Sequence, residues 1–433
     1  MKVKVIGGGF AGSEACYQLL KRGVDVTLVE MKPIKKSPAH NLDGLCEVVC
    51  SNSLKSDDLY TSSGLLKAEM RMMDSLIISC AEQTRVPAGN ALAVDRNAFS
   101  AAVTEKLNSF ANFTRIAKVE DSLSTDGYDC VICATGPLTD DTLIPAFKQI
   151  FGDEFLYFFD AVAPIVTAES IDYDSAFSAS RYGKGDADYL NCPMNKAEYE
   201  QFYASLIAAE RVELKDFENN VFEGCMPIEV MASRGENTMR FGPLKPVGLR
   251  DERKNEKPYA VLQLRKENVS GTLYNLVGFQ TNLKFSEQKR VFSLIPALKN
   301  AEFVRYGVMH RNTYINSPVF LDRNFALKSD PKLYFAGQIT GVEGYVESAL
   351  SGLVAALQAY RAMCGLSPIL FSDETMTGAL CVHVSTQFGD YSPMNSNFGI
   401  LPPLSEHIRD KSARKLAYSE RSLERMKQIL AEV

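Results

Sequence analysis

Residues 3–30 read VKVIGGGFAGSEACYQLLKRGVDVTLVE: a short apolar strand, a glycine turn, a helix, and a second strand that ends on Glu30. Gly7, Gly9 and Gly12 make the pattern G-x-G-x-x-G directly after Val3, Val5 and Ile6, and Ser13 to Leu20 continue with helical spacing. Gly7 permits the tight turn, Gly9 lets a pyrophosphate approach the backbone, and Gly12 lets helix and strand pack closely, while the helix N-terminus offers N–H groups to phosphate. Gly8, Phe10 and Ala11 fall within the same turn. Glu30, eighteen residues beyond Gly12, stands where a carboxylate accepts the ribose hydroxyls of an adenosine. The stretch predicts a dinucleotide site in an α/β fold, with FAD and a nicotinamide both open as its ligand.

The rest of the composition fits a large folded protein. A chain of 433 residues with 46% hydrophobic content can bury sizeable cores, and its length suggests two or three domains. No uninterrupted apolar run approaches the roughly 20 residues of a membrane span, and MKVKVIGGGF has no secretory h-region, so a soluble cytoplasmic protein is expected. The ten cysteines form no disulfide-like framework and read as reduced thiols. Cys130 and Cys133 make a C-x-x-C, but within the buried-strand pattern YDCVICATG residues i and i+3 point to opposite faces. They read as structural, and with four scattered histidines no metal site is expected. The net charge of −6 is uneven: residues 153–223 hold five Lys/Arg against fifteen Asp/Glu, and residues 225–299 hold thirteen against seven. The basic segment could face a polyanion or be an ordinary solvated surface.

Several later stretches carry chemistry. LCEVVC at 45–50 reads as a strand that stops at Cys50, and Ser51, Asn52 and Ser53 read as helix N-caps, which would place the thiol at a helix start. Such a thiol is acidified, although a plain core cysteine fits the stretch equally well. Residues 64–84 read as helical, and 86–107 as a turn, a short strand and a helix. A strand then runs into Ala134-Thr-Gly136, a return beside the first motif that favours FAD over a nicotinamide. Cys225 follows Gly224 and is trailed by Arg234, Arg240, Lys245 and Arg250, cations that favour thiolate and could hold phosphate. Residues 332–360 read as a strand, a glycine turn and a long apolar helix from about Tyr345, a junction that brings backbone N–H groups to a flavin. The last stretch, with Leu416, Leu423, Met426 and Leu430 near one face, reads as a docking helix.

With these residues in hand, the chain resembles the folate- and FAD-dependent tRNA uracil-5 methyltransferases. The resemblance rests on IGGGFAGSEA (6–15), PAHN (38–41), VCSNSLKSDD (49–58), DRNAFS (95–100), CATGPLT (133–139) and EGCMPIEVMASRG (223–235). It continues through FGPLKPVGL (241–249), LYNLVGFQTNLKFSEQKRVF (273–292), RYGVMHRNTYINSP (305–318), FAGQITGVEGYVESALSG (335–352) and MNSNFGILPP (394–403). It implies a Rossmann-like FAD-binding domain of the glutathione-reductase-like type with an inserted α+β domain. The expected division is 1–154 for the first part of the FAD domain, 155–300 for the inserted substrate domain and 301–433 for the second part.

The resemblance also implies the reaction: methylation of C5 of the T-loop uridine (uridine 54) of tRNA. The carbon comes from 5,10-methylenetetrahydrofolate, FAD serves as methylene carrier and reductant, and NADPH or NADH supplies electrons. C5 of uracil is a poor nucleophile until a thiolate adds at C6. Cys225 is assigned that addition and Cys50 the role of general base near the flavin, with the reverse assignment also open. Gly136, Gly337, Gly341, Glu343, Gly344 and Tyr345 join the turn at 7–12 and Glu30 as expected flavin neighbours. His310 matches the histidine that stacks on the folate, and Arg234, Lys245, Lys289 and Arg290 are expected to meet RNA phosphates. The same chemistry on 23S rRNA, or a wobble-uridine tRNA-modifying flavoprotein, are the alternatives.

Overall fold

The computed structural model describes residues 1–37, 39–152, 155–161, 163–183, 186–212, 226–251, 253, 257–268, 270–307, 309–387 and 391–432. In chain order the elements begin with β1 (Lys2–Ile6), α1 (Phe10–Leu20), β2 (Asp25–Glu30), β3 (Ser53–Ser56), α2 (Ser62–Met72), α3 (Leu76–Gln83) and β4 (Arg85–Val86). There follow β5 (Ala91–Val94), α4 (Arg96–Asn108), β6 (Phe113–Ala117), β7 (Cys130–Cys133), α5 (Ile144–Phe151), β8 (Phe155–Ala161), β9 (Ile165–Thr167), β10 (Phe177–Ser178) and β11 (Tyr189–Met194). Next come α6 (Lys196–Ile207), α7 (Ile228–Ser233), α8 (Thr238–Phe241), β12 (Ala260–Lys266), β13 (Leu273–Leu276), α9 (Phe285–Phe292) and β14 (Phe303–Arg305). The chain closes with β15 (Met309–Ile315), α10 (Ser317–Phe320), β16 (Ala326–Leu327), β17 (Asp330–Phe335), α11 (Tyr345–Met363), α12 (Met376–Ser385) and α13 (Lys411–Ala431).

The first sheet runs β16-β17-β7-β1-β2-β6, parallel throughout except for the β16 edge. A central parallel strand is covered on both faces and so needs apolar residues at successive positions. β7 meets this condition, since Cys130, Val131, Ile132 and Cys133 are all buried. Burial pushes both thiols up to about 12, in keeping with structural cysteines. Helices α1 and α11 cross over this sheet in very close contact. A Cβ on Gly12 would lie 1.9 Å from the Gly7 carbonyl oxygen, and one on Gly352 would lie 2.0 Å from that of Ala11. Backbone meets backbone at both places, so only glycine fits.

The second sheet, β10-β11-β12-β13-β9-β14, is antiparallel and draws its strands from residues 165–305. Its own core gathers Leu190, Tyr199, Phe202, Leu262, Leu264, Phe279 and Phe292. β8 and β15 pair antiparallel as a separate two-stranded ribbon.

Two local expectations need correction, and a third, helical structure over 64–84, holds with a break. Residues 45–50 form no strand: Cys46 sits at φ 53°, and the N–H groups of Leu45 and Cys46 go to Thr104 Oγ1 and the Gly8 carbonyl instead of to a ladder. No helix follows Cys50, because the next element is β3 and the next helix, α2, begins only after its Thr61 cap. Residues 64–84 are two helices rather than one. The break falls at Asp74, φ 56°, and the buried Glu14 carboxylate accepts the first N–H groups of α3 from Leu76 and Ile77. The terminal helix α13 docks on α2, with Ser419, Ser422, Met426 and Ile429 as its buried face and Leu416, Leu423 and Leu430 half-buried beside it.

Candidate active site

The carboxyl ends of five parallel strands lie side by side in the order β17, β7, β1, β2, β6, and a groove runs across them. Open α/β sheets bind ligands at this edge. Gly337 follows β17, Thr135 and Gly136 follow β7, the turn Gly7–Ala11 follows β1, Glu30 closes β2, and Lys118 to Glu120 follow β6; all of them line the groove. Helix α1 starts at Gly9 and α11 at Gly344, and neither helix has a side-chain cap. Their first-turn N–H groups therefore remain for a ligand, as an anion at a helix start requires. Glu30 is 5% exposed. Its Oε2 accepts the Gly8 N–H at 2.5 Å and its Oε1 that of Lys32 at 3.0 Å. Each carboxylate oxygen keeps a lone pair for a hydroxyl. The residues present fit a dinucleotide with its phosphates on the glycine turn and a ribose at Glu30.

Of the expected flavin neighbours, Gly7, Gly8, Gly9, Phe10, Ala11, Glu30, Gly136, Gly337 and Tyr345 line this one groove. Gly12, Gly341, Glu343 and Gly344 do not line it. Glu343 is buried and accepts a hydrogen bond from the side-chain amide of Gln338, itself a groove residue, at 2.7 Å. Gly341 lies against the Tyr391 ring.

At one side of the groove Tyr345 joins it to Cys50. The Tyr345 ring stacks on Phe10, with centroids 4.5 Å apart, and Phe10 stacks in turn on Phe99. Its hydroxyl oxygen accepts the N–H groups of Val49 and Cys50, each at 2.9 Å, and lies 2.9 Å from Cys50 Sγ. Burial pushes the phenol well above its ordinary range, and the neighbouring Cys50 adds to the effect. The hydroxyl thus stays protonated, and a hydrogen bond joins it to the Cys50 sulfur. Among the described cysteines only Cys50 and Cys364 reach the surface. Cys364 follows the far end of α11, roughly 28 Å along the helix from Tyr345. Cys50 is therefore the one described thiol that is both accessible and beside the groove.

Arginines take the place of the expected helix end around Cys50. Arg96, at the start of α4, donates to the Val48 and Val49 carbonyls and pairs with Glu267 just beyond β12. Burial opposes its charge, and Glu267 outweighs burial and holds the guanidinium protonated, with Cys50 near enough to contribute. From the second sheet, Arg265 donates to Asn52 Oδ1 at 2.9 Å and Ser51 Oγ at 2.7 Å. Arg305 reaches the Ala39 carbonyl from β14. Sequence reasoning missed all three arginines. Residue pairs separated by 171 and 213 positions leave no local pattern to read.

The remaining expected residues fall elsewhere. Cys225 lies outside the described residues. His310 lies on β15 opposite Asp160. Lys289 and Arg290 are exposed on α9, where Arg290 pairs with Glu287 at 2.6 Å. Arg234 is exposed at the end of α7, and Lys245 is half-buried in the loop after α8. Among the described residues no group of His, Cys, Asp and Glu could hold a metal ion, and no helix is long and apolar enough to cross a membrane.

Comparison with known proteins places the chain in a family. The profile of the family described as glucose inhibited division protein A matches residues 2–367. A protein of Desulforudis audaxviator, methylenetetrahydrofolate–tRNA-(uracil-5-)-methyltransferase TrmFO, is 56% identical over 433 residues, covering 99% of this chain and 98% of its own. Proteins of the same name from Acetivibrio thermocellus and Bacillus licheniformis are 54% and 51% identical, each over 99% of this chain and 98% of the relative. Among solved structures, Aquifex aeolicus GidA in its form II crystal superposes with a TM-score of 0.70 at 16% identity, covering 100% of this chain and 75% of that one, a likeness of fold.

Proposed function

Because the chain belongs to the TrmFO methyltransferases within the glucose inhibited division protein A family, we propose that it methylates C5 of the T-loop uridine in tRNA. The carbon comes from 5,10-methylenetetrahydrofolate, and NADPH or NADH supplies the electrons. FAD, when bound, carries the one-carbon unit and the reducing electrons. The observation that carries the reading is the Cys50 thiol held 2.9 Å from the hydroxyl of Tyr345, a residue that lines the dinucleotide groove.

In this reading the chain's own groups divide the work. The Cys225 thiolate adds to C6 of the uracil, the electron pair moves into the C5–C4 enolate, and C5 becomes nucleophilic. Once C5 carries the one-carbon unit, Cys50 takes the C5 proton as the bond to the carrier breaks; a hydride, which FAD would supply, would turn the exocyclic methylene into methyl, and expulsion of the Cys225 thiolate from the resulting enolate restores the C5–C6 double bond. Tyr345 holds the Cys50 sulfur in place, and Glu343, through Gln338, braces the turn that opens α11. His310 stacks on the folate, while Arg234, Lys245, Lys289 and Arg290 meet RNA phosphates. Residues 155–300 serve as the substrate domain between two parts of an FAD domain, and the enzyme works in the cytoplasm.

Nucleoside analysis of tRNA and rRNA from a strain lacking this protein tests the substrate. The expected result is loss of 5-methyluridine from the T loop of tRNA with rRNA unchanged. Unchanged tRNA together with a loss from 23S rRNA would overturn the assignment.

A further inference from the structure

Resting on the tRNA reading above, we propose that Phe241 is a base-stacking platform for an unpaired nucleotide of the RNA substrate. Phe241 is 83% exposed, the most exposed of the large apolar side chains among the described residues. It ends α8 between two anchors, Met239 and Leu244, that are fully buried in the core of the second sheet. The Leu244 N–H returns to the Met239 carbonyl at 2.9 Å, and the turn packs through Pro243 against Gly278. The backbone beneath the ring is therefore rigid, and the ring itself is left in solvent.

A single exposed phenylalanine needs no explanation, but this one has company. In the same loop Val247 is 54% exposed, and Tyr182, 62% exposed, lies against it with its ring over Gly248. Tyr182 adopts φ 58°, a left-handed conformation that costs a bulky residue energy. The Tyr182 N–H donates to the Gly248 carbonyl, and Arg181 donates to that of Val247, so the two segments form one surface. Cations stand nearby in the sequence. Arg240 lies over the Tyr259 ring at 3.5 Å, Lys245 is in the loop itself, and Arg250 is exposed at its end. The acidic neighbour Asp251 is occupied by Arg253. Rigid exposed aromatics among cations are how proteins hold splayed bases of looped RNA, with the ring on the base and the charges on the flanking phosphates. The helix α8 packs on α7, which begins three residues after Cys225 in the sequence.

The chain has no tryptophan, so Phe241→Trp introduces a sole fluorophore at the platform. Titrating the FAD-loaded variant with a T-arm hairpin RNA should quench its emission to a stoichiometric end point, whereas an unchanged emission overturns the proposal. In parallel, Phe241→Ala should raise KM for tRNA roughly ten- to hundredfold. Flavin content, folate KM, kcat and melting temperature should stay at wild-type values, and Phe241→Tyr should restore most of the loss. A wild-type KM for tRNA in Phe241→Ala overturns the proposal. So does a change confined to oligomeric state, which would mark the patch as a contact between copies of the chain. Wild-type protein that methylates no tRNA would instead overturn the functional reading and the platform with it.

Discussion

Cys50→Ala is expected to give a folded, yellow protein that no longer methylates tRNA, with turnover reduced roughly 10²- to 10⁴-fold, the range of a lost general base. The thiol's partners explain why the loss should be confined to chemistry. Tyr345 keeps its backbone donors from Val49 and Cys50 and its stacking on Phe10 after the sulfur is removed, so the groove wall stays in place. FAD content and NADPH oxidation without RNA should therefore match wild type. Cys50→Ser should recover little, because an alcohol in the same place is a far weaker proton acceptor near neutrality. Retention of full turnover by Cys50→Ala would remove this thiol from the reaction.

Arg96→Met is expected to destabilise the protein by roughly 3 kcal/mol, read as a lower denaturant midpoint. Breaking a buried ion pair costs about 3–5 kcal/mol because the remaining charge is stranded. Glu267, with a side chain only 2% exposed, would be stranded here, while the Arg96 side chain retains 14% exposure and draws some screening from water. The same substitution frees the Val48 and Val49 carbonyls and loosens the loop that carries Cys50. Methyl transfer should fall along with stability. The double variant Arg96→Met/Glu267→Leu separates the two effects. It should recover most of the stability, since no charge is left unpaired, but little of the activity, since the loop carbonyls are still unheld. Full recovery of activity would show that Arg96 acts on stability alone.

How much of this was legible beforehand depends on where each residue's partners lie. The dinucleotide site could be read because its logic is local: three glycines at set spacing, apolar residues on either side, and a carboxylate at the end of the next strand. The strand into Ala134-Thr-Gly136 and the junction before Tyr345 were readable for the same reason, and the parallel sheet brings all of them to one edge. The loop around Cys50 was misread because its partners are distant. LCEVVC has the apolar run of a strand, yet Cys46 turns through a positive φ and gives its N–H to the glycine turn. Ser51 and Asn52 have the side chains of helix caps but spend them on Arg265, Val94 and Lys266. Capping chemistry satisfies backbone groups at a helix end, and here the same chemistry ties two sheets together. Arg96 is the sharper case. A cation in the first turn of a helix faces an unfavourable dipole, and only Glu267 and the loop carbonyls account for its place.

Folate-dependent methyl transfer to tRNA at the groove joined to Cys50 is the reaction proposed. It is tested most directly by incubating the purified protein, with FAD and NADPH, with tRNA lacking 5-methyluridine and with 5,10-methylenetetrahydrofolate labelled at the methylene carbon. Label is expected in 5-methyluridine at the T-loop position, absent when folate is omitted and absent with Cys50→Ala. Unlabelled tRNA in the presence of active folate, reduced flavin and intact protein would contradict it.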